Sequence, residues 1–252
     1  MNFVTDQPEL YDILYHDFTD DLEMYVQYAS KHDEILLCGA GTGRTTFPIA
    51  ENGVKVIALD ISEKMLSCLK QKMSLLPLSV QNNISIIRGD MRNFKLDSQI
   101  SCCIVPFSTF NYLLTIEDQR KSLQCIKNSL KIGGELILEL LSVKTFPEIF
   151  EERGEILGHI AEYDGNKIET WRTTSFDAST QTVRQLREFR FYRGNDFLKS
   201  ETVEWVNRFF FLGEIRLLLE ENDFIIKNVY GDYQYGSYDN NSEFIVIQAI
   251  AR

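Results

Sequence analysis

An α/β fold, one sheet flanked by helices with an antiparallel β-unit inserted late in the chain, follows from three observations. Residues 34–60 read as a buried strand (Ile35-Leu36-Leu37-Cys38), a glycine turn, a helix from Arg44 to Glu51, and a second apolar run, 54–59, that stops at Asp60. A continuous apolar run bounded by turn residues marks a strand covered on both faces. Short apolar runs then recur between helix-like segments, at 84–87, 100–105 and 135–140. From 155 to 211 the spacing changes to strands separated by brief turns, which is a hairpin series rather than a succession of βαβ crossovers.

Ahead of the first strand, Leu10, Ile13, Leu14 and Phe18, then Leu22, Tyr25, Val26 and Ala29 fall at helical spacing, with Thr19-Asp20-Asp21 between them suited to an N-cap. Two helices are expected there. Ser62 is a plausible cap for a helix that fades before Pro77. A helix over 117–130 leads to Gly133-Gly134, which supply a tight turn into the strand 135–140. In the hairpin region Asp164-Gly165-Asn166 is a good turn, and the strands 167–172 and 185–191 alternate apolar with charged residues, so one face is covered and the other polar. A helix at 213–221 and strands at 224–230 and 243–249 close the chain, with 231–241 a long aromatic and polar loop.

Bulk properties narrow the function. A chain of 252 residues with 44% hydrophobic and 25% charged residues can bury a full core. A net charge of −11 without a Lys/Arg block opposes binding to phosphate backbones, so no nucleic-acid partner is expected. No stretch approaches 18 uninterrupted apolar residues and no basic segment precedes an apolar run at the start, so no membrane association is expected and a cytoplasmic location is. Five cysteines (Cys38, Cys68, Cys102, Cys103 and Cys125) without C-x-x-C spacing read as reduced thiols. With His16, His32 and His159 unclustered, no metal site is expected.

The turn after the first strand carries the chemistry. Glycines at 39, 41 and 43 let backbone approach a ligand closely, a helix N-terminus offers unpaired N–H groups, and an acid about 20 residues on takes the two hydroxyls of a ribose. The site suits an adenosine-type ligand. A dinucleotide fingerprint needs a third glycine where Arg44 stands, and a P-loop needs Gly-Lys-Ser/Thr where Arg44-Thr45-Thr46 stand, so both fail on spacing.

Gly39-Ala40-Gly41-Thr42-Gly43 resembles motif I of the class I S-adenosylmethionine (SAM) dependent methyltransferases. Further motifs resemble that family in the correct order: Tyr11-Asp12-Ile13-Leu14-Tyr15 its N-terminal helix, Asp60-Ile61-Ser62 to Met65 its second strand end, Asp90-Met91 its third, the segment 106–115 its fourth, and the run 130–139 its fifth. The resemblance implies a Rossmann-like seven-stranded methyltransferase sheet with an inserted antiparallel β-subdomain. It divides the chain into helices over the cofactor (1–32), the SAM-binding core (33–150), a β insertion on the acceptor side (151–212), and the last helix and two strands (213–252). It implies SAM as cofactor, with S-adenosylhomocysteine (SAH) as product, held by Tyr15, Gly39, Ala40, Gly41, Gly43, Arg44, Asp60, Ile61, Met65, Asp90, Met91, Pro106 and Phe107. The hairpin insertion resembles the branch of the nucleotide-sugar N,N-dimethyltransferases, although 108–115 lack that branch's histidine.

The reaction so implied moves a methyl group to a nitrogen, or an oxygen, of a small molecule. Tyr15, Tyr11 and His16 are candidates to accept or relay a proton, and Asn111, Tyr112, Arg172, Arg187 and Tyr235 are candidates for the acceptor pocket, with Arg190 a further cation on the same strands. One departure stands out: the family's acid two positions before the first glycine is Leu37 here. That leaves a SAM-binding protein without catalysis as one rival, and an NAD(P)-dependent oxidoreductase as another; a protein or RNA acceptor is a poorer option. A monomer or homodimer is expected.

Overall fold

The structure, a computed structural model, describes residues 6–15, 17–145 and 154–252; His16 lies outside them. In chain order the strands are β1 (Glu34–Cys38), β2 (Lys55–Asp60), β3 (Ile84–Arg88), β4 (Ile100–Val105), β5 (Leu130–Leu141), β6 (Ile156–Tyr163), β7 (Asn166–Asp177), β8 (Thr182–Arg193), β9 (Asp196–Arg208), β10 (Phe224–Tyr230) and β11 (Phe244–Ala251). The helices are α1 (Pro8–Tyr15), α2 (Leu22–Ala29), α3 (Thr46–Glu51), α4 (Glu63–Met73), α5 (Leu78–Gln81), α6 (Ile116–Ser129) and α7 (Leu212–Glu221).

Seven strands form one sheet in the order β10-β11-β5-β4-β1-β2-β3, parallel except for β11, which runs antiparallel to both neighbours. The seven-stranded α/β architecture expected from the sequence is the one observed. Ile35 and Leu37 pack with helices α2, α3 and α4, while Leu36 and Cys38 pack with α6 and α7, so β1 is covered on both faces as its continuous apolar run requires. Strand order reverses at β1, between β4 and β2, and ligands of open α/β sheets bind in the crevice beyond the strand ends at such a point.

Three local expectations are corrected. Asp21 stands at the N-cap position of α2 but makes no capping bond, because its carboxylate is committed to Arg44. Helix α3 starts at Thr46 rather than Arg44, since Gly39, Gly41 and Gly43 all take positive φ and the turn they make is longer than one helix cap. Strand β5 starts at Leu130, which pairs with Ile100; pairing then jumps to Cys102 with Glu135, so 131–134 bulge out of the strand around Gly133, whose φ is +78°.

Strands β6 to β9 form a separate antiparallel sheet. Asp164 and Gly165 both have positive φ, as a two-residue hairpin turn demands. One face of this sheet, with Ile168, Phe189, Val203 and Trp205, packs on Leu10 and Ile13 of α1. Helix α1 is thereby fixed to the small sheet. Asn111 ties the two sheets together: its amide nitrogen donates to Arg208 O (2.6 Å) in β9 and its oxygen accepts from Leu141 N (3.2 Å) in β5. No helix among the described residues is long and apolar enough to cross a membrane.

Candidate active site

A cavity of about 500 Å³ opens beyond the ends of β1, β2 and β4, roofed by α1 and by the inner face of the small sheet. That is within the usual size of a small-ligand site. Its floor is the glycine turn. A Cβ on Gly39, at φ +84°, would fall 2.4 Å from the Thr109 methyl, so the strand can meet the loop after β4 at this point with glycine alone. Gly41 and Ala40 also line the cavity; Gly43 does not, because it packs under the Phe47 ring.

Asp60, at the end of β2, turns its carboxylate to this floor. Oδ2 accepts from Gly41 N (2.7 Å) and Oδ1 from Ser62 N (2.8 Å). Burial pushes its pKa up, and the backbone N–H groups of Ser62, Gly41 and Ile61 oppose that rise. A carboxylate has about four lone-pair sites, so acceptor capacity remains on the cavity side. Ile61 and Met65 line the wall beside it. Asp90 is gripped by Arg92, whose Nη2 lies 2.6 Å from Oδ2, and this bond, ahead of any other influence, holds the Asp90 pKa below the usual carboxylate range. Met91 lines the cavity next to it.

The loop after β4 is unusual. Phe107 and Ser108 both take left-handed conformations, φ +49° and +57°, which non-glycine residues adopt only when the surroundings over-determine them. Glu139 of β5 supplies that restraint. The buried carboxylate accepts from Phe107 N (2.8 Å), from Ser108 Oγ (3.0 Å) and from the Tyr25 hydroxyl. Burial raises the Glu139 pKa against the pull of these donors. Sequence reasoning passed over Glu139, although an acid inside the apolar run Leu136-Ile137-Leu138-Glu139-Leu140 is itself a signal, because charge is rarely buried unless it is bonded. Leu37, where an acid was expected, is fully buried on the sheet face that also carries Ile137. By strand alternation Glu139 shares that face, two strands over and one pleat further on.

Helix α1 brings Tyr11 and Tyr15 to the cavity, one turn apart with ring centroids 5.0 Å from each other. Tyr15 meets the Phe107 ring edge-on at 4.8 Å. Burial pushes the Tyr11 hydroxyl well above its ordinary pKa, with Arg44 pulling the other way, so Tyr11 is a neutral phenol at physiological pH. Arg44 lines the cavity but is spent on structure. Its guanidinium binds Asp21 through both terminal nitrogens (2.7 and 2.6 Å), donates to Phe18 O (2.9 Å) and lies 4.2 Å over the Phe107 ring.

At the far end the cavity is lined by Tyr112, Arg172 and Arg187, and by Gln185, Trp205 and Asn207, which the sequence reading did not single out. Period-two alternation with Phe189 on β8 and Val203 on β9 would have found them. Three expected acceptor residues are elsewhere. Asn111 is fully buried and both its amide atoms are committed to backbone; Tyr235 packs on Tyr28 and Tyr230 and donates to Gln27; Arg190 lies on the opposite face of β8, paired with Glu188 and Glu155.

Residues 35–134 match the family model described as "Methyltransferase domain". That stretch is a methyltransferase domain, in keeping with the order of motifs that starts at the glycine turn. The chain is 30% identical over 119 residues to a putative methyltransferase, YqeM, of Bacillus subtilis, a match covering 47% of this chain and 46% of that one, so it spans about half that relative's length. It is 25% identical over 215 residues to a cypemycin N-terminal methyltransferase of Streptomyces, covering 84% and 81% of the two chains. Among solved structures, SAM-bound CalS10, an amino pentose methyltransferase from Micromonospora echinaspora, superposes with a TM-score of 0.75 at 17% identity, covering 97% of each chain. That likeness is one of fold.

Proposed function

We propose that this methyltransferase transfers the methyl group of SAM to an unprotonated nitrogen of a small molecule. One observation carries the reading: the adenosine-type floor and the polar far end belong to a single continuous cavity, with the Tyr11, Tyr15 and Phe107 rings between them. Of the described residues, those within 1–32 then cover the cofactor, those within 33–150 hold it, those within 151–212 form the acceptor wall, and 213–252 complete the sheet. Five free thiols, with Cys38 and Cys103 unbridged at 3.9 Å, favour a reducing cytoplasmic setting.

The residues present suit SAM. Gly39 and Gly41 allow close approach of a methionine moiety, Asp60 faces the position of a ribose diol, and Ile61, Met65 and Met91 offer apolar walls to an adenine with Asp90 at its edge. When bound, SAM supplies an electron-poor methyl carbon, which an amine lone pair takes in line as the carbon–sulfur bond breaks and its electrons stay on sulfur, giving SAH. Charge is dispersed in such a displacement, so alignment and exclusion of water carry most of the catalysis, on the order of 7 to 11 kcal/mol at best. Tyr11 and Tyr15 bracket the reacting position from α1. A neutral phenol there orients the amine through its oxygen, and the Tyr15 hydroxyl relays the proton lost by the methylated nitrogen out to solvent water, giving up its own proton as it takes that one. Glu139 holds Phe107 against these rings and stands on the sheet face where Leu37 replaces the expected acid.

Calorimetry with SAM and with SAH, followed by assay of SAH release with a panel of small amines, tests the reading. Binding of both ligands and amine-dependent release of SAH are expected. Binding without release from any amine would leave a non-catalytic SAM-binding protein, and NADH binding in place of SAM would overturn the assignment.

A further inference from the structure

The far wall of the cavity carries a cation where the fold asks for an apolar residue. On β8 the inward positions are Val183, Gln185, Arg187 and Phe189, and on β9 they include Val203, Trp205 and Asn207. Val183, Gln185 and Phe189 are 1%, 5% and 0% exposed. Arg187 sits among them with its guanidinium stacked 4.5 Å over the Trp205 ring and its Nη2 donating to the neutral oxygen of Gln185 at 3.1 Å. Its Nε is buried without a hydrogen-bond partner.

Charge balance separates Arg187 from three other arginines of these strands. Arg184 pairs with Glu204, Arg190 with Glu188 and Glu155, and Arg208 with Glu214. Among the described residues no carboxylate lies within 4.0 Å of Arg187. Arg172 stands directly opposite in register and lines the same cavity, which adds a second guanidinium to this wall. The three acids that line the cavity, Asp60, Asp90 and Glu139, are each engaged by donors elsewhere in it. A half-buried cation with an open donor is stabilised by an anion, and a guanidinium fork fits a planar or tetrahedral oxyanion best.

We infer that the acceptor amine carries an oxyanionic group, a carboxylate or a phosphate, and that Arg187 binds it while stacked on Trp205. The inference rests on the methyl-transfer reading of the cavity and adds the chemistry of its acceptor. The group anchors one end of the acceptor against the small sheet and leaves the amine to reach the Tyr11 and Tyr15 rings. Specificity then comes from Arg187, since an acceptor without the anion would leave the guanidinium desolvated and unpaired.

The full chain, with and without SAH, is titrated with inorganic phosphate, pyrophosphate and acetate at low ionic strength. Wild type should bind at least one of them, and Arg187→Gln should weaken that binding about 10- to 100-fold, the span expected for charge-assisted bonds. Arg187→Lys should retain part of it, and SAH affinity should stay within about twofold in both variants, which also shows that they fold. Methyl transfer is then compared between amino acids and their amides, and between amino-sugar phosphates and the free amino sugars. The first pair reads a carboxylate, the second a phosphate, and KM for the charged member alone should rise in Arg187→Gln. Equal oxyanion binding by wild type and Arg187→Gln, or amides and free sugars used as well as their charged partners, overturns the inference. Absence of SAH binding would instead fault the methyl-transfer reading, while the oxyanion titration of the free protein still decides on Arg187.

Discussion

At the scale of single residues, the proposed mechanism divides the labour between Asp60 in binding and Tyr15 in turnover. In the proposed binding mode two ribose hydroxyls donate to an ionised Asp60 carboxylate, and bonds to a charged acceptor are worth about 1.5 to 3 kcal/mol. Asp60→Asn should therefore lower SAH affinity about 10- to 100-fold by calorimetry. Protonation removes the same acceptor capacity, and burial has raised the Asp60 pKa, so wild-type affinity should decline on acidification from above the ordinary aspartate range, near about 4. Asp60→Asn should show no such decline; a pH profile parallel to wild type would place the titrating group elsewhere. Tyr15→Phe keeps the ring that packs on Phe107 but loses the hydroxyl. With proton relay through it, kcat should fall by about 100-fold or more while SAH affinity is unchanged, and undiminished turnover would remove Tyr15 from the reaction.

At the scale of elements, the left-handed start of the loop after β4 is held by Glu139 of β5. Glu139→Leu would take the acceptor from the Tyr25 and Ser108 hydroxyls, leave Phe107 N–H only the Tyr25 oxygen at 3.3 Å, and release two left-handed residues, at a cost of about 1 to 3 kcal/mol for each donor left unpaired. Glu139→Gln is different, because an amide oxygen can still accept from Phe107 N and the amide nitrogen can donate to Ser108. The folded-state pKa of Glu139 is raised by burial, so the folded protein holds this proton more tightly than the unfolded chain. Stability from that source is fully present below the unfolded glutamate value, about 4.3, and is lost as pH rises through the folded value. Urea denaturation from pH 4 to pH 8 should show Glu139→Gln flattening that loss, and an unchanged slope would mean that Glu139 stays ionised throughout. What the sequence disclosed follows the same division. The glycine turn, Asp60, Asp90 and the pair Tyr11 and Tyr15 were legible because each belongs to a local motif whose chemistry fixes its spacing. Alternation along β8 and β9 sets Gln185, Arg187, Trp205 and Asn207 apart from Arg190, but which face lines the cavity, and that Glu139 meets the loop after β4, depends on how the strands and the two sheets come together.

At the scale of the whole molecule, the acceptor wall is useful only if the small sheet keeps its position over the core. The buried apolar contacts of Leu10 and Ile13 fix α1 to that sheet, but α1 is a short element and Asp12 carries its polar tie to the glycine turn, through Thr42 at 2.7 Å. The rigid join is at Asn111, where one buried amide bonds the backbones of β9 and β5 together and Ser142 pairs with Phe210 alongside. Asn111 looked like an acceptor ligand from its place after the fourth strand, yet a fully buried amide satisfied by two main-chain groups has nothing left to offer a substrate. Asn111→Ala leaves one N–H and one C=O without partners, at about 1 to 3 kcal/mol each. For a chain of this size, with about 2 to 4 °C per kcal/mol, Tm should drop by roughly 5 to 20 °C. The loss should also localise: limited proteolysis ought to cut within β6 to β9 before the seven-stranded sheet, with SAH affinity reduced less than acceptor affinity. A variant with the Tm of wild type, or one in which both sheets become protease-sensitive together, would show that the apolar contacts of α1 alone set the geometry of the cavity.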